Sequence, residues 1–198
     1  MKKIKVGIIG TGSISGCHIA GYKALDNAEL YAVCDINEQR ARECAKKNGV
    51  ELVFTDYNKM LKLKELDAVS VCTWNSEHAP ATIAALKAGK HVLCEKPMAI
   101  NTREAVAMEE AAKQAGKVLM IGFVRRFGND AKILKDFIDN GMMGDIYYAK
   151  ATYLRRFGCP GGWFGDKKRS GGGPLIDLGV HVIDLVRYMM GKPKAVSV

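Results

Sequence analysis

Near the start of the chain, Val6-Gly-Ile-Ile-Gly10-Thr11-Gly12-Ser13-Ile14-Ser15 runs an apolar, β-branched segment directly into a glycine turn and then a helical pattern. Few folds accept that succession. A strand that ends in Gly-x-Gly at the mouth of a helix offers backbone N–H groups and the positive end of the helix dipole to an anion. Gly10 permits the tight turn, and Gly12 lets backbone approach a pyrophosphate. The third small position is Ser15, with Gly16 next, a mild departure because serine still packs between helix and strand. Asp35 closes the following strand, where a carboxylate accepts from both adenosine ribose hydroxyls and repels a 2′-phosphate. Gly10, Thr11, Gly12, Ser13, Ile14 and Asp35 are therefore candidate cofactor-binding residues, and NAD is expected over NADP. Arg40 and Arg42, on the next helix, are of the type that could serve a 2′-phosphate.

The segments that follow repeat the same alternation. Lys5–Ile9, Leu30–Cys34, Leu52–Phe54, Ala68–Cys72, His91–Cys94 and Val118–Ile121 read as strands, short and nearly all apolar, as parallel strands covered on both faces must be. Asn37 caps a helix through Asn48, which Gly49 stops. Asn101 with Glu104 forms a capping box, and Ala105, Met108, Ala112 and Ala115 line one face before Gly116. Residues 1–122 are thus expected to form a doubly wound α/β sheet of Rossmann type. After Phe123 the pattern changes. Asp130–Asn140 reads as a helix ended by Gly141, Ile146–Leu154 as a strand, and about Leu175–Met190 as an apolar helix behind the glycines Gly158–Gly165 and Gly171–Gly173. Ala195–Val198 looks like a strand just begun. One long strand and two helices do not make a sheet domain, so residues 123–198 are expected to be an incomplete second domain.

Composition narrows the class. With 48% apolar residues and no stretch of roughly 20 that could span a bilayer, the chain reads as a cytoplasmic protein with no membrane partner. The six cysteines contain no CxxC pair, and several lie in apolar strand runs, as reduced structural thiols do. The net charge of +9 is scattered, without an arginine-rich arm or aromatic ladder, so no nucleic-acid partner is expected.

Three further clusters carry chemistry. Glu95-Lys96-Pro97 follows the fifth strand, at the edge where such sheets bind ligands, so Lys96 can polarise a carbonyl or stabilise an alkoxide, with Glu95 orienting it. Asp177, His181 and Asp184 fall at i, i+4 and i+7 of the last helix. There His181 is of the type that takes a hydroxyl proton as hydride leaves, and Asp177 of the type that orients it. No additional metal ligand accompanies them. Asn75 follows the fourth strand and is placed to reach the nicotinamide half of a dinucleotide; His78, also a candidate there, reads first as a capping or packing residue.

Taken together, Gly10-Thr-Gly12, Asp35, Asn75 with His78, Ala88-Gly-Lys-His-Val, Glu95-Lys96-Pro97, the Gly171 loop and Asp177 with His181 resemble the Gfo/Idh/MocA oxidoreductases, in family order along the chain. Trp74 stands where that family commonly has proline. The resemblance implies NAD(P)-dependent hydride transfer on a secondary alcohol or carbonyl of a sugar, polyol or related compound. In that picture Lys96 steadies the substrate oxygen, His181 is the acid/base and Asp177 assists. It also implies an α+β second domain with a mostly antiparallel sheet, of which only the beginning is present, and a homo-oligomer in full-length form. Two alternatives remain: an NAD-dependent glycoside hydrolase of the same family, or a truncated, non-catalytic dinucleotide-binding module. Substrate determinants are expected in Phe123–Arg126 and Arg155–Trp163. Arg155, Arg156, Lys167, Lys168 and Arg169 read better as a solvated basic loop than as a site for an anionic substrate.

Overall fold

In the computed structural model, which describes residues 3–156 and 158–197, the chain divides into two compact units meeting at Gly122 and Phe123. The first unit alternates strand and helix: β1 (Ile4–Ile9), α1 (Ser15–Lys23), β2 (Ala28–Cys34), α2 (Glu38–Asn48), β3 (Leu52–Phe54), α3 (Tyr57–Met60), β4 (Ala68–Val71), α4 (His78–Lys87), β5 (His91–Cys94), α5 (Thr102–Ala115) and β6 (Leu119–Ile121). All pairings are parallel, in the order β3-β2-β1-β4-β5-β6. The order reverses between β1 and β4, which makes the switch point where ligands bind in such sheets.

The near-continuous apolar strands have a direct cause. Along β1, Ile9 joins the core shared with α4 and α5, while Ile8 joins the one containing Ile19 of α1 and Ala45 of α2. Val33 parts from Ala32 and Cys34 in the same way on β2. Successive side chains point to opposite faces, and both faces are covered. The helix stops are equally local. Gly49 and Gly116 adopt left-handed φ values of 71° and 62° at the ends of α2 and α5. Asn37 accepts from the Arg40 N–H at 3.0 Å, and Asn101 from the Glu104 N–H at 2.9 Å. The returning bond of the second box comes from the Asn101 amide, which donates to Glu104 Oε1.

The second unit contains α6 (Asn129–Asp139), α7 (Lys167–Ser170) and α8 (Val180–Met189), with tight turns at Val124–Phe127 and Gly162–Gly165. Among its described residues there is no strand. Residues 146–154, expected as a strand, are irregular, and Tyr147 and Leu154 are 94% and 87% exposed. A strand is defined by its ladder, and among the described residues this segment forms none. Residues 195–197 are likewise irregular, and Val198 lies outside the described residues. The mostly antiparallel sheet implied by the resemblance is not seen among the described residues. Among the described residues no helix is long and apolar enough to cross a membrane.

Candidate functional site

The carboxyl ends of β1, β2, β4 and β5 bring most of the candidate residues of the first unit to one edge of the sheet. At the end of β1, Gly10 holds φ at 89°, and a Cβ there would lie 2.7 Å from the Cys72 carbonyl oxygen, a rigid backbone atom. Glycine is therefore required, because the turn must pass against the end of β4. Gly12 differs: a Cβ added there would meet nothing within 4 Å. Its bare backbone opens to the space in front of the loop, which suits the close approach of a dinucleotide phosphate. Ser13 and Ile14 are exposed beside it, and Ser15 is buried, its hydroxyl donating to the Gly12 carbonyl at 2.6 Å. The Ser15 departure thus closes the turn without obstructing it.

Asp35 locks this loop to β2. One carboxylate oxygen accepts from the Thr11 N–H at 2.8 Å and the Thr11 hydroxyl at 3.0 Å. The other accepts from the Asn37 N–H and from Arg40 Nη2, each at 2.9 Å. Burial pushes this carboxyl upward, but the Asn37, Arg40 and Thr11 donors together hold it below its ordinary value. Arg40 is half-exposed, whereas Arg42 pairs with Glu38 on the helix surface. The residues fit a dinucleotide: a bare glycine loop at a helix N-terminus, and an ionised carboxylate beside it whose Arg40 partner can swing out to solvent.

At the end of β4, Asn75 is buried and opens a single tight turn, Asn75–Glu77. His78 begins α4 and is 1% exposed; its Nδ1 lies 2.6 Å from the Pro97 carbonyl and its Nε2 3.2 Å from that of Thr73. Burial depresses its pKa against the pull of both carbonyls. His78 therefore ties the β4 turn to the Lys96–Pro97 turn. Glu95, at the end of β5, is held by two contacts. Its Oε1 lies 2.9 Å from His18 Nε2, and its Oε2 accepts from the Lys96 backbone N–H at 3.1 Å. Burial raises this carboxyl, and the His18 and Lys96 interactions more than offset it, so it is held below the usual value. His18 was not singled out from the sequence. The available signal was the spacing of Ser15, His18 and Tyr22 on one helix face, together with Ser70, a lone hydroxyl in an apolar strand.

Lys96 stands in the first unit, Asp177 and His181 in the second. Asp177 lies in one π-helical turn, Leu175–Gly179, and His181 follows in α8, its Nδ1 closed off from solvent. The expected continuous α-helix is thus widened by one turn. Gly179 accommodates it, since the Leu175 side chain folds to 2.6 Å from where a Cβ would stand. The expected stripe of Asp177, His181 and Asp184 is not kept as a polar trio. Asp184 instead receives both Arg126 Nε, at 2.7 Å, and Arg126 Nη2. The Arg126 guanidinium also lies 5.2 Å from the Tyr188 ring centroid. Arg155 Nη1 reaches within 4.0 Å of Asp177 Oδ2.

A doubly wound parallel sheet whose switch point carries this loop and carboxylate defines a Rossmann domain of the nucleotide-binding class. Residues 4–123 match the family model described as oxidoreductase family, NAD-binding Rossmann fold, and residues 132–198 match the GFO/IDH/MocA C-terminal domain. The chain belongs to the GFO/IDH/MocA oxidoreductase family. It is 42% identical over 197 residues to D-glucoside 3-dehydrogenase of Escherichia coli, covering 98% of this chain and 56% of that protein. It is 37% identical over 189 residues to myo-inositol 2-dehydrogenase of Thermotoga maritima, covering 96% of this chain and 55% of that one. A levoglucosan dehydrogenase solved in complex with NADH superposes with a TM-score of 0.85 at 29% identity, over 96% of this chain and 54% of the other. The chain spans about half the length of the curated relatives it matches.

Proposed function

We propose that this chain is the cofactor-binding and catalytic part of an NAD-dependent dehydrogenase or reductase that acts on a secondary alcohol or carbonyl of a sugar or polyol. Residues 1–122 form its dinucleotide domain and residues 123–198 part of its substrate domain. The observation that carries the reading is Asp35, ionised and bonded to Thr11 at the back of an open Gly10–Gly12 loop. Bound there, NAD(H) supplies the hydride acceptor or donor. The Gly12 backbone and the N-terminus of α1 would hold its phosphates, Asp35 would accept from the adenosine ribose hydroxyls in place of Arg40, and Asn75 would serve the nicotinamide half. Lys96 steadies the substrate oxygen, His181 takes or returns the hydroxyl proton, and Asp177 orients His181. The relatives reported are dehydrogenases, which favours this reading over the glycoside-cleaving one.

Calorimetric titration of the chain with NADH and NADPH tests it. Micromolar NADH binding, with NADPH at least about tenfold weaker, is expected (about 1.4 kcal/mol). Lys96→Ala should leave NADH binding intact while abolishing NADH formation from a D-glucoside or inositol in the full-length protein. Failure to bind either nucleotide would remove the cofactor assignment, and turnover surviving in Lys96→Ala would remove the role of Lys96.

A further inference from the structure

A chain of hydrogen-bonded polar side chains runs through the first unit, from α1 across β4 to the end of β5. Ser70 is fully buried in β4, an otherwise apolar Ala-Val-Ser-Val strand. Its Oγ lies 2.7 Å from the Tyr22 hydroxyl and 3.0 Å from His18 Nδ1. The other ring nitrogen of His18, Nε2, lies 2.9 Å from Glu95 Oε1, and Glu95 Oε2 accepts the Lys96 backbone N–H at 3.1 Å. Room for the carboxylate is left by Gly122 at the end of β6, where a Cβ would stand 3.2 Å from Glu95 Oε1.

With the His18 proton on Nε2 the chain runs in one direction: Nε2–H donates to Glu95, Nδ1 accepts from the Ser70 O–H, and Ser70 accepts from the Tyr22 O–H. That arrangement gives every member of the chain a partner, and hydrogen bonds so aligned reinforce one another. Ser70 is fully buried and the other three partly so, which is costly unless their polar atoms find partners. Here they link three places: α1, whose N-terminus carries the glycine loop; the centre of the sheet; and the turn that carries Lys96.

We propose that His18 is a positioning residue, which holds the Glu95 carboxylate and through it the backbone turn presenting Lys96, so that the dinucleotide loop and Lys96 keep one fixed relation. The inference rests on the function proposed above only in treating Lys96 as the residue that meets substrate.

The test reads Lys96 directly. Lysines of the chain are reductively methylated with ¹³C-formaldehyde, and the Lys96 line is assigned by its loss in Lys96→Arg. His18→Phe keeps the ring but removes both nitrogens, and should move the Lys96 line by more than its own width. His18→Gln restores an amide donor toward Glu95 and should return the line to its native position. Glu95→Gln, which keeps an acceptor for the Lys96 N–H but loses the charge, should also displace it. A line unmoved by His18→Phe, or moved equally by Phe and Gln, overturns the proposal. If circular dichroism shows that His18→Phe does not fold, Glu95→Gln decides, and an unmoved line there overturns it. NADH titration of the unsubstituted protein is read separately: absent binding defeats the dinucleotide reading and leaves the His18 result standing.

Discussion

In the function proposed, Asp35 concentrates the chemistry of cofactor choice in one carboxylate. Its oxygens already accept from Thr11, Asn37 and Arg40, so a ribose diol must displace one of these donors. The backbone donors are fixed by β2 and the glycine turn. Arg40 is the one that can leave, being a flexible side chain 48% exposed. Once turned outward, its guanidinium would be free to approach a 2′-phosphate, so in the proposed reading Arg40 moderates the repulsion that Asp35 exerts. Arg40→Ala should therefore leave NADH affinity within about threefold and weaken NADPH by a further factor of about ten, roughly 1.4 kcal/mol. Parallel calorimetric titrations check this, and an equal loss for both nucleotides would mean that Arg40 supports the loop without discriminating. Asp35 was legible in the sequence from its place after the second strand. The Arg40 contact was legible only as a residue type within reach, because an arginine rotamer is not written in periodicity.

The elements divide by how local their causes are. The six strands of the first unit were readable because each is short and mostly apolar, the inner ones being covered on both faces, and their boundaries in the structure differ from expectation by only a residue or two. The segment 146–154 has a comparable pattern but no ladder partner, and the π turn at Leu175–Gly179 depends on packing over Gly179, which no period reports. The network of His18, Tyr22 and Ser70 was also not read, since its partners are far apart in sequence. At the β1–α1 junction two glycines that look alike in the motif should behave differently. Gly10→Ala must place a Cβ against the backbone of Cys72 at positive φ, and should cost at least about 2 kcal/mol in urea unfolding. Gly12→Ala should stay within about 1 kcal/mol in stability while weakening NADH, because its Cβ occupies the open face of the loop. Equal destabilisation by both would refute the distinction. At the start of α4, His78 is buried with its pKa depressed below the ordinary 6.5. The unfolded chain then binds the proton more readily, so this contribution is complete above about pH 6.5 and is lost as pH falls through the depressed folded value. His78→Gln, which keeps an amide donor toward Pro97, should flatten the decline in unfolding free energy between about pH 7 and 5; an unchanged slope would assign that decline to other groups.

Across the whole molecule, the two units differ in how completely they satisfy themselves. The first pairs all six of its strands in one sheet and buries apolar residues on both faces. The second leaves Tyr147, Tyr148, Leu154 and Leu175 more than 70% exposed, and between Asp145 and Gly161 its described residues form neither helix nor strand. Backbone with few hydrogen bonds and few buried contacts opens at low free energy, so a protease finds it first. Limited chymotrypsin digestion should cut at Tyr147, Tyr148, Tyr153 or Leu154 well before any site in residues 3–122. The resulting N-terminal piece should keep NADH affinity within about threefold, because Gly10, Gly12, Asp35 and Asn75 all lie in the self-sufficient unit. NADH at 100 times its Kd should raise the opening free energy of that piece by RT ln(1 + [L]/Kd), about 2.7 kcal/mol, and so slow later cuts in it by about a hundredfold. It should leave the first cuts unchanged, since none of the residues assigned to the dinucleotide lies in residues 145–161. Simultaneous cleavage of both units would mean that the sheet does not stand alone, and that the dinucleotide site depends on the residues after Phe123 for its stability.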